Sequence, residues 1–251
     1  MRAFLTSFGD FGFFSGAVLK RFTIRRGGYQ DLIRQMHRVG VESLTVVNLC
    51  SFFIGLVFVL QTSYLLAKFG AKTQVAGIVS ASFVREIGPV FAAIMFAGRV
   101  GTGIAAEIGS MVVTEQVDAY RSFGVDPIRR LAVPRVLAAG VMLPALTTVS
   151  VLVSIFAGYM LGVSDLGISG PVYMEYTRTA IGPNDVFAML AKSFVFGLLI
   201  GLVATYHGFR TPRATEAVGE STTKAMVGSV LGVLVMDFIA AKFLIAVGGY
   251  S

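Results

Sequence analysis

Five ionisable side chains interrupt apolar stretches of the sequence, and chemistry would be expected at them: Arg85, Glu86, Arg99, Glu107 and Asp237. A charge inside a membrane is unfavourable unless it is paired, so such residues mark either packing pairs or sites for charged ligands. Adjacent residues point about 100° apart on a helix, so Arg85 and Glu86 face different directions. A guanidinium suits a phosphate group, which makes this pair a candidate lipid-headgroup site; an interfacial anchor is the alternative.

The deeper charges need partners. Glu107 follows Arg99 by eight residues, about 12 Å along a helix, which is too far for a direct bond and places Glu107 near the membrane surface. Asp237 lies at a depth comparable with Arg99, so we hypothesise a contact between the two that joins the second and fifth apolar segments. Lys192 and Lys242 are expected near outer segment ends, reaching the interface without a further role.

Motifs for enzymatic chemistry are absent from the sequence. It contains no G-x-x-x-x-G-K-[ST], H-E-x-x-H, C-x-x-C or G-x-S-x-G, and the two histidines, His37 and His207, are isolated. We therefore predict no catalytic residue, no metal site and no ATP site within this chain. Any ATPase would be a separate polypeptide.

Composition predicts an all-α integral membrane protein. The 251 residues are 55% hydrophobic and 14% charged, with a mean hydropathy of +0.77. An interfacial helix is expected within an N-terminal arm, 1–43, followed by a transmembrane domain, 44–251. Five segments are long enough to cross a bilayer, and they lie at about 44–67, 86–113, 131–163, 186–208 and 226–247.

The basic residues indicate the orientation. Fourteen of the 21 Lys and Arg fall in the N-terminal arm and in the connections 114–135 and 209–225, which lie on one side if all five segments span. The positive-inside rule places that side, with the N-terminus, in the cytoplasm. The net charge of +7 is thus read as a topology signal, and no nucleic-acid partner is expected.

The charged stretch 115–130 separates the two longest segments. Those segments have about 28 and 33 residues, or roughly 42 and 50 Å, so they either tilt or protrude. Thr114 is a plausible N-cap and Gly124 a plausible C-terminal stop for a helix of about nine residues. Asp126 and Pro127 then predict the start of a new helix.

This predicted helix, 115–123, is amphipathic. Its apolar stripe comprises Val117, Tyr120 and Phe123, continued from Val113. Charged residues surround the stripe, namely Glu115, Asp118 and Arg121. A plain helical loop would account for this pattern. The functional interpretation is a coupling helix that inserts into a groove of a motor subunit, and Val117→Asp with Tyr120→Asp would test it by releasing that subunit.

Small residues recur at helix-packing spacing. Three G-x-x-x-G pairs occur: Gly158 with Gly162, Gly197 with Gly201, and Gly228 with Gly232. Together they predict a tightly packed helix bundle, within one chain or across a dimer.

Residues 83–138, "FVREIGPVFAAIMFAGRVGTGIAAEIGSMVVTEQVDAYRSFGVDPIRRLAVPRVLA", carry a family resemblance. R-E-x-G-P, A-G-R-x-G, A-E-I-G, T-E-Q and G-V-D-P occur there in order, and "VGVESL", "FIGLVFVLQ" and "MDFIAAKF" extend the likeness. The sequence resembles the MlaE/YrbE permeases, membrane subunits of ABC transporters that move lipids between bacterial membranes with MCE-domain proteins. The 209–223 connection departs from the Gly-Gly character common in that family.

The resemblance implies the partners and the location. It implies a dimer of permeases, two ATPase subunits that hold ATP and Mg²⁺ and bind through the coupling helix, an MCE ring on the outer face, and a lipid cavity near Arg85 and Glu86. The location implied is the bacterial inner membrane.

Several alternatives stay open. The lipid could be a phospholipid, a sterol or a mycolate-like molecule, and the direction could be import or export. An ion-coupled secondary transporter working through Arg99, Glu107 and Asp237 is a second hypothesis, and a structural scaffold of an envelope complex is a third.

Overall fold

The chain is helical through nearly all of its described length. The computed structural model describes residues 2–22 and 28–246, with side chains from 9–22 and 30–246. Within those ranges there is no strand, and five helices are long and apolar enough to span a membrane. The prediction of an all-α integral membrane protein with five spans is therefore confirmed.

The α-helices are labelled in chain order. Their bounds are α1 Arg2–Leu19, α2 Gly28–Gly40, α3 Leu44–Ala67, α4 Val75–Ser82, α5 Gly88–Phe96, α6 Thr102–Val113, α7 Gln116–Ser122, α8 Val133–Ser164, α9 Gly170–Ala180, α10 Pro183–Phe209 and α11 Thr215–Ala246. Short 3₁₀ turns occupy Val41–Ser43 and Lys72–Gln74. Wider π-helical turns occupy Phe83–Ile87, Ala97–Gly101 and Ile128–Ala132.

These elements combine into the five spans. The spans are Gln30–Ala67, Lys72–Val113, Ile128–Ser164, Pro183–Phe209 and Thr215–Ala246. The third and fourth agree with their predicted bounds within three residues, and α3 has the predicted bounds of the first apolar segment. Val247, the predicted end of the fifth span, lies outside the described residues.

Three spans begin earlier than predicted. The first begins at Gln30 and not at 44, because α2 and the 3₁₀ turn Val41–Ser43 run directly into α3. The second begins at Lys72 and not near 86, because the helix continues through Arg85 and Glu86 as the π-helical turn Phe83–Ile87. The fifth begins at Thr215 and not near 226, because its polar first turns are helical and carry a Glu220–Lys224 ion pair of 2.7 Å. Charged residues alone therefore do not mark the helix ends in this chain.

Helix α9 was not predicted, since it lies in the 164–185 connection. Its Tyr173 is 1% exposed and packs edge-on against Tyr159. A Cβ at Gly162 would lie 2.4 Å from the Tyr173 ring. The first G-x-x-x-G pair therefore accommodates an aromatic ring at Gly162. Burial raises the pKa of Tyr173 to about 12, so the phenol stays protonated at neutral pH.

The described part of the chain forms two compact units. The first unit contains the residues up to Ser43 with Phe96–Met142 and Val195–Val233; the second contains Leu44–Met95, Leu143–Phe194 and the residues from Leu234. Several spans contribute residues to both units. Each unit has its own core.

The core of the first unit joins α1 to the start of the third span. Val18 of α1 is fully buried and clusters with Ala132, Val133 and Val136. Close backbone packing supports the same region, because a Cβ at Gly197 would lie 2.4 Å from the Ala139 carbonyl oxygen. The second G-x-x-x-G pair thus packs helix against helix, as predicted.

The core of the second unit joins the first three spans. Val59, Val79, Phe83 and Val151 are buried together. Nearby, the Ser154 hydroxyl donates to the Ser51 carbonyl at 2.8 Å. A Cβ at Gly55 would lie 2.5 Å from the Ser154 carbonyl oxygen, so α3 and α8 approach as closely as glycine permits.

Two separate glycine-to-alanine variants test this packing. Gly55→Ala would force α3 away from α8, and we expect a loss of about 1–3 kcal/mol from overpacking. Gly219→Ala has nothing within 4 Å of its new methyl group, so better helix propensity should gain about 0.5–1 kcal/mol. Thermal unfolding of the purified variants should therefore shift in opposite directions, and equal shifts would contradict the close approach.

Candidate functional site

A buried lysine links two carboxylates in the second unit. Lys192 Nζ lies 2.7 Å from Glu86 Oε2 and 3.3 Å from Asp237 Oδ1, and its side chain is 2% exposed. The expectation that Lys192 extends to the interface is therefore wrong, because a paired ammonium can be accommodated inside the helix bundle. Lys192 joins the second, fourth and fifth spans.

Arg85 is bound to a carboxylate that the sequence analysis missed. Its Nε and Nη2 donate to the two carboxylate oxygens of Asp185 at 2.8 and 3.1 Å. The Asp185 side chain is 1% exposed and also accepts the Gly182 backbone N–H at 2.9 Å. Asp185 lies in the first turn of α10, where acidic residues are common. Its position in the sequence therefore did not indicate a partner for Arg85.

These five groups form a charged cluster with an excess of one negative charge. Two cations, Arg85 and Lys192, face three carboxylates, those of Glu86, Asp185 and Asp237. Arg85 and Glu86 keep side-chain exposures of 28% and 39%. The predicted lipid-contact pair therefore belongs to an ionic network and retains two partly accessible edges.

Arg99, the second arginine of that span, has a different partner from the one hypothesised. Its nearest carboxylate is Glu42, at 3.9 Å, and Asp237 is instead bound by Lys192. Arg99 and Asp237 therefore each have another partner within their own unit. The hypothesis matched Arg99 and Asp237 by depth alone, and depth does not determine which way a side chain faces. Arg99 lies in the π-helical turn Ala97–Gly101, whose extra residue changes that direction.

Glu107 binds two arginines in the first unit. Arg38 lies 3.0 Å from one carboxylate oxygen and Arg135 lies 2.9 Å from the other. The Arg135 side chain is only 5% exposed. This carboxylate thus joins α2, the second span and the third span, and neither arginine was predicted as its partner.

These ion pairs indicate where the second span leaves the membrane. Glu42 lies two residues before Leu44, where the uncharged run 44–67 begins, and Arg99 approaches this carboxylate. Residues 99–113 therefore extend from that level by about 21 Å at the usual helical rise. Of the two alternatives for the long second span, this geometry favours protrusion.

The connection after the second span contains the short helix α7. Gly124 has φ +70°, and the Val125 N–H bonds to the Tyr120 carbonyl, so the predicted glycine stop is confirmed. Asp126 accepts the Ile128 N–H at 3.0 Å, which confirms the predicted start of the next helix. Thr114 is not the N-cap, because its hydroxyl bonds back to Ser110.

Residue Glu115 precedes α7 in the left-handed conformation, with φ 59°. Its backbone bonds to Val112, Asp118 and Ala119, and its exposed side chain has no partner among the described residues. Glycine would adopt this backbone geometry more readily than glutamate does.

The residues of the predicted apolar stripe of α7 differ in burial. Val117 is 4% exposed and Tyr120 is half-buried, so both pack within the chain. Phe123 is 83% exposed and its neighbour Val125 is 40% exposed. An external partner would therefore meet Phe123 first.

Ionic contacts hold this connection to the rest of the first unit. The Asp118 carboxylate pairs with Arg121 at 3.0 Å and with Arg213, beyond the fourth span, at 2.5 Å. Arg21, at the end of α1, pairs with Asp126. The connection is thus held by one ion pair within α7 and by another at Asp126.

Removing the buried lysine tests the charged cluster. Lys192→Met would leave the Glu86 and Asp237 carboxylates without their cation, and we expect a loss of about 3 kcal/mol. Lys242→Met is the matched control, because Lys242 is exposed and has no partner among the described residues. Thermal unfolding in detergent measures both.

Neutral partners should restore the stability. Adding Glu86→Gln and Asp237→Asn to Lys192→Met removes the uncompensated charges, so most of the loss should be recovered. A Lys192→Met variant as stable as Lys242→Met would contradict this role for the cluster.

Comparison with known proteins covers almost the whole chain. Residues 32–243 match the family described as "Permease MlaE". A Rickettsia felis protein named "Probable ABC transporter permease protein" is 38% identical over 95% of this chain and 92% of its own length. The Arabidopsis thaliana protein "TRIGALACTOSYLDIACYLGLYCEROL 1, chloroplastic" is 35% identical over 94% of this chain and 68% of its own length.

The name of a further relative states a transport role. The "Intermembrane phospholipid transport system permease protein MlaE" of Haemophilus influenzae is 33% identical over 98% of this chain and 94% of its own length. The matched region contains the charged cluster, the Glu107 ion pairs and the connection with α7. With five apolar helices and this match, the chain is a multi-pass membrane protein that belongs to the MlaE permease family.

Proposed function

We propose that this chain is the permease subunit of an ABC transporter that moves phospholipid or a related lipid between bacterial membranes. The observation that carries the proposal is the family match across residues 32–243, which includes a connection whose most exposed apolar side chain is Phe123. The sequence has no P-loop, so ATP and Mg²⁺ are held by a separate ATPase subunit.

The ATPase binds at the connection that contains α7. Phe123 and Val125 supply an exposed apolar contact, and Glu115 and Arg121 supply charges beside it. An exposed aromatic flanked by charged groups suits insertion into a groove of a partner. Val117 and Asp118 serve within the chain, so they hold the helix in place and Tyr120 supports them from its half-buried position.

Movement of the ATPase is transmitted through the ionic contacts of the connection. Asp118 is bound to Arg213, and Asp126 to Arg21, so α7 is not free to swing independently. The second span ends at Val113, just before α7, and contains two π-helical turns. Such turns are frequent at functional sites and are natural places for the span to change direction.

The lipid headgroup contacts the charged cluster in the second unit. The accessible edge of Arg85 faces the phosphate, and that of Glu86 accepts from donors of the headgroup. The network around Lys192 holds both residues in position. Because the cluster already carries one excess negative charge, a zwitterionic headgroup is accommodated more readily than a strongly anionic one.

The functional unit is a dimer of permeases with further partners. The most apolar window of the fifth span is only 11% buried within the chain, compared with 44–50% for the second, third and fourth spans, so this helix has surface available for a second copy. The lipid cavity lies between the copies, and an MCE-domain protein covers the outer face. The complex lies in the inner membrane, with the N-terminus in the cytoplasm, in keeping with the distribution of Lys and Arg.

One pair of phenylalanine variants tests the ATPase contact. Phe123→Asp should release the co-expressed ATPase subunit and abolish ATP-driven lipid transfer, because a carboxylate replaces the exposed apolar anchor. Phe69→Asp is the matched control, since Phe69 is 76% exposed in the connection after the first span. Co-purification and lipid transfer between vesicles measure the outcome.

Three results would contradict the proposal. An ATPase that remains bound to Phe123→Asp but not to Phe69→Asp would place the contact elsewhere. Lipid transfer driven by an ion gradient without nucleotide would favour a secondary transporter, and no transfer under any condition would favour a scaffold. Val117→Asp is unsuitable for this test. Val117 is buried, so a carboxylate there would impair folding of the permease before it affected ATPase binding.

A further inference from the structure

A polar cavity lies in the first unit. It has a volume of about 190 Å³ and lies where α2 and the following 3₁₀ turn meet the second span. Its polar or small lining residues are Gln35, Arg38, Glu42, Ser43, Arg99, Gly103 and Glu107. At about 30 Å³ for each water, the volume corresponds to roughly six waters and is sufficient for a phosphate group.

Two donors at this cavity lack acceptors. The Arg99 guanidinium makes no hydrogen bond within the described residues, and its nearest carboxylate is 3.9 Å away. Ser43 is 1% exposed, and its buried hydroxyl has no partner in the same part of the chain. A buried donor without an acceptor is unfavourable, which applies to Ser43, a lining residue of the cavity. The Arg99 side chain is 39% exposed, so its guanidinium can bind water until a ligand replaces that water.

Charge at the cavity favours an anion. Two arginines of the lining, Arg38 and Arg99, balance the two carboxylates of Glu42 and Glu107. Arg135 binds Glu107 from outside the lining and adds one positive charge. Glu107 is fully engaged by Arg38 and Arg135, so it adds little repulsion of its own. Arg99 is left as the guanidinium with the most donors available to a ligand.

The position of the cavity indicates the kind of anion. Glu42 and Ser43 directly precede the uncharged run that begins at Leu44, so the cavity lies at the level where the first span enters the membrane. Val100 and Ile104 form the apolar part of its wall. A cavity with a cationic end and an apolar wall at this level matches the phosphate and glycerol region of a lipid.

We propose that this cavity binds the phosphate of a membrane phospholipid from the leaflet in which the first span begins. Arg99 and Ser43 donate to the phosphate oxygens, and Glu42 stays available to accept from a headgroup amine. Gly103 leaves the cavity open, because a Cβ there would have nothing within 4 Å. This site is separate from Arg85 and Glu86 and does not require an ATPase contact at Phe123.

Native mass spectrometry of the full-length chain in detergent tests the site. The probes are phosphatidylethanolamine, phosphatidylglycerol, diacylglycerol and inorganic phosphate, each added separately. Both phospholipids should bind, whereas diacylglycerol should not, because it has no phosphate. In Arg99→Gln the number of phospholipids retained by each chain should fall by one. The Kd of phospholipid at this cavity should rise about tenfold or more. Arg178→Gln, an exposed arginine of α9 without a partner in the described chain, should behave as wild type.

Two further variants separate binding from folding. Gly103→Leu should fill the cavity and exclude the phospholipid while keeping every charge, and Gly219→Leu, also in open space, should not. Ser43→Ala should weaken lipid binding without lowering the lipid-free Tm, because it removes a buried hydroxyl that has no acceptor. Ser229→Ala removes a similar buried hydroxyl elsewhere and should leave lipid binding unchanged.

Other outcomes would overturn the proposal. Equal retention of phospholipid by wild type, Arg99→Gln and Gly103→Leu would show that the cavity is not the binding site. Inorganic phosphate binding at the same site as tightly as phospholipid would show a free-anion site. Protection of Gly103→Cys from a thiol reagent by a second copy in lipid-free protein would show that the cavity is a subunit interface.

Discussion

A charge inside hydrocarbon must be paired, and this constraint determines where the membrane can lie along the chain. Glu42 stands just before the uncharged part of the first span, which begins at Leu44, and it approaches Arg99. Arg38 lies earlier in the chain and binds Glu107. These pairs align the end of α2 with the second half of the second span. Measured from that level, residues 99–113 extend by about 21 Å toward α7.

The two units use ion pairs for different purposes. In the first unit, Glu107 with Arg38 and Arg135, and Asp118 with Arg213, brace the protruding ends of the spans and the connection between them. In the second unit, Lys192 and its carboxylates join three spans within their apolar stretches. The proposed function uses the first set for the ATPase contact and the second for the lipid headgroup.

Hydropathy and local backbone signals predicted the spans, the stop at Gly124 and the start at Asp126, because those depend on neighbouring residues alone. The partners of the charges could not be predicted, because they depend on how spans pack. Arg99 shows the reason: a π-helical turn changes the facing of the residues around it, and no sequence pattern indicates where such a turn occurs. Helix α9 was missed because its polar sequence resembles a loop until Tyr173 is seen buried against Gly162.

The side of the membrane on which α7 lies is the most direct test of a permease moved by an external ATPase. Cys50 is the sole cysteine of the sequence, so Phe123→Cys in a Cys50→Ala chain offers one exposed thiol for a membrane-impermeant maleimide. We predict labelling in inside-out vesicles and none in intact cells, which would place α7 in the cytoplasm. Labelling of Cys at position 123 from outside intact cells would contradict the proposal, since no cytoplasmic ATPase could then reach this helix.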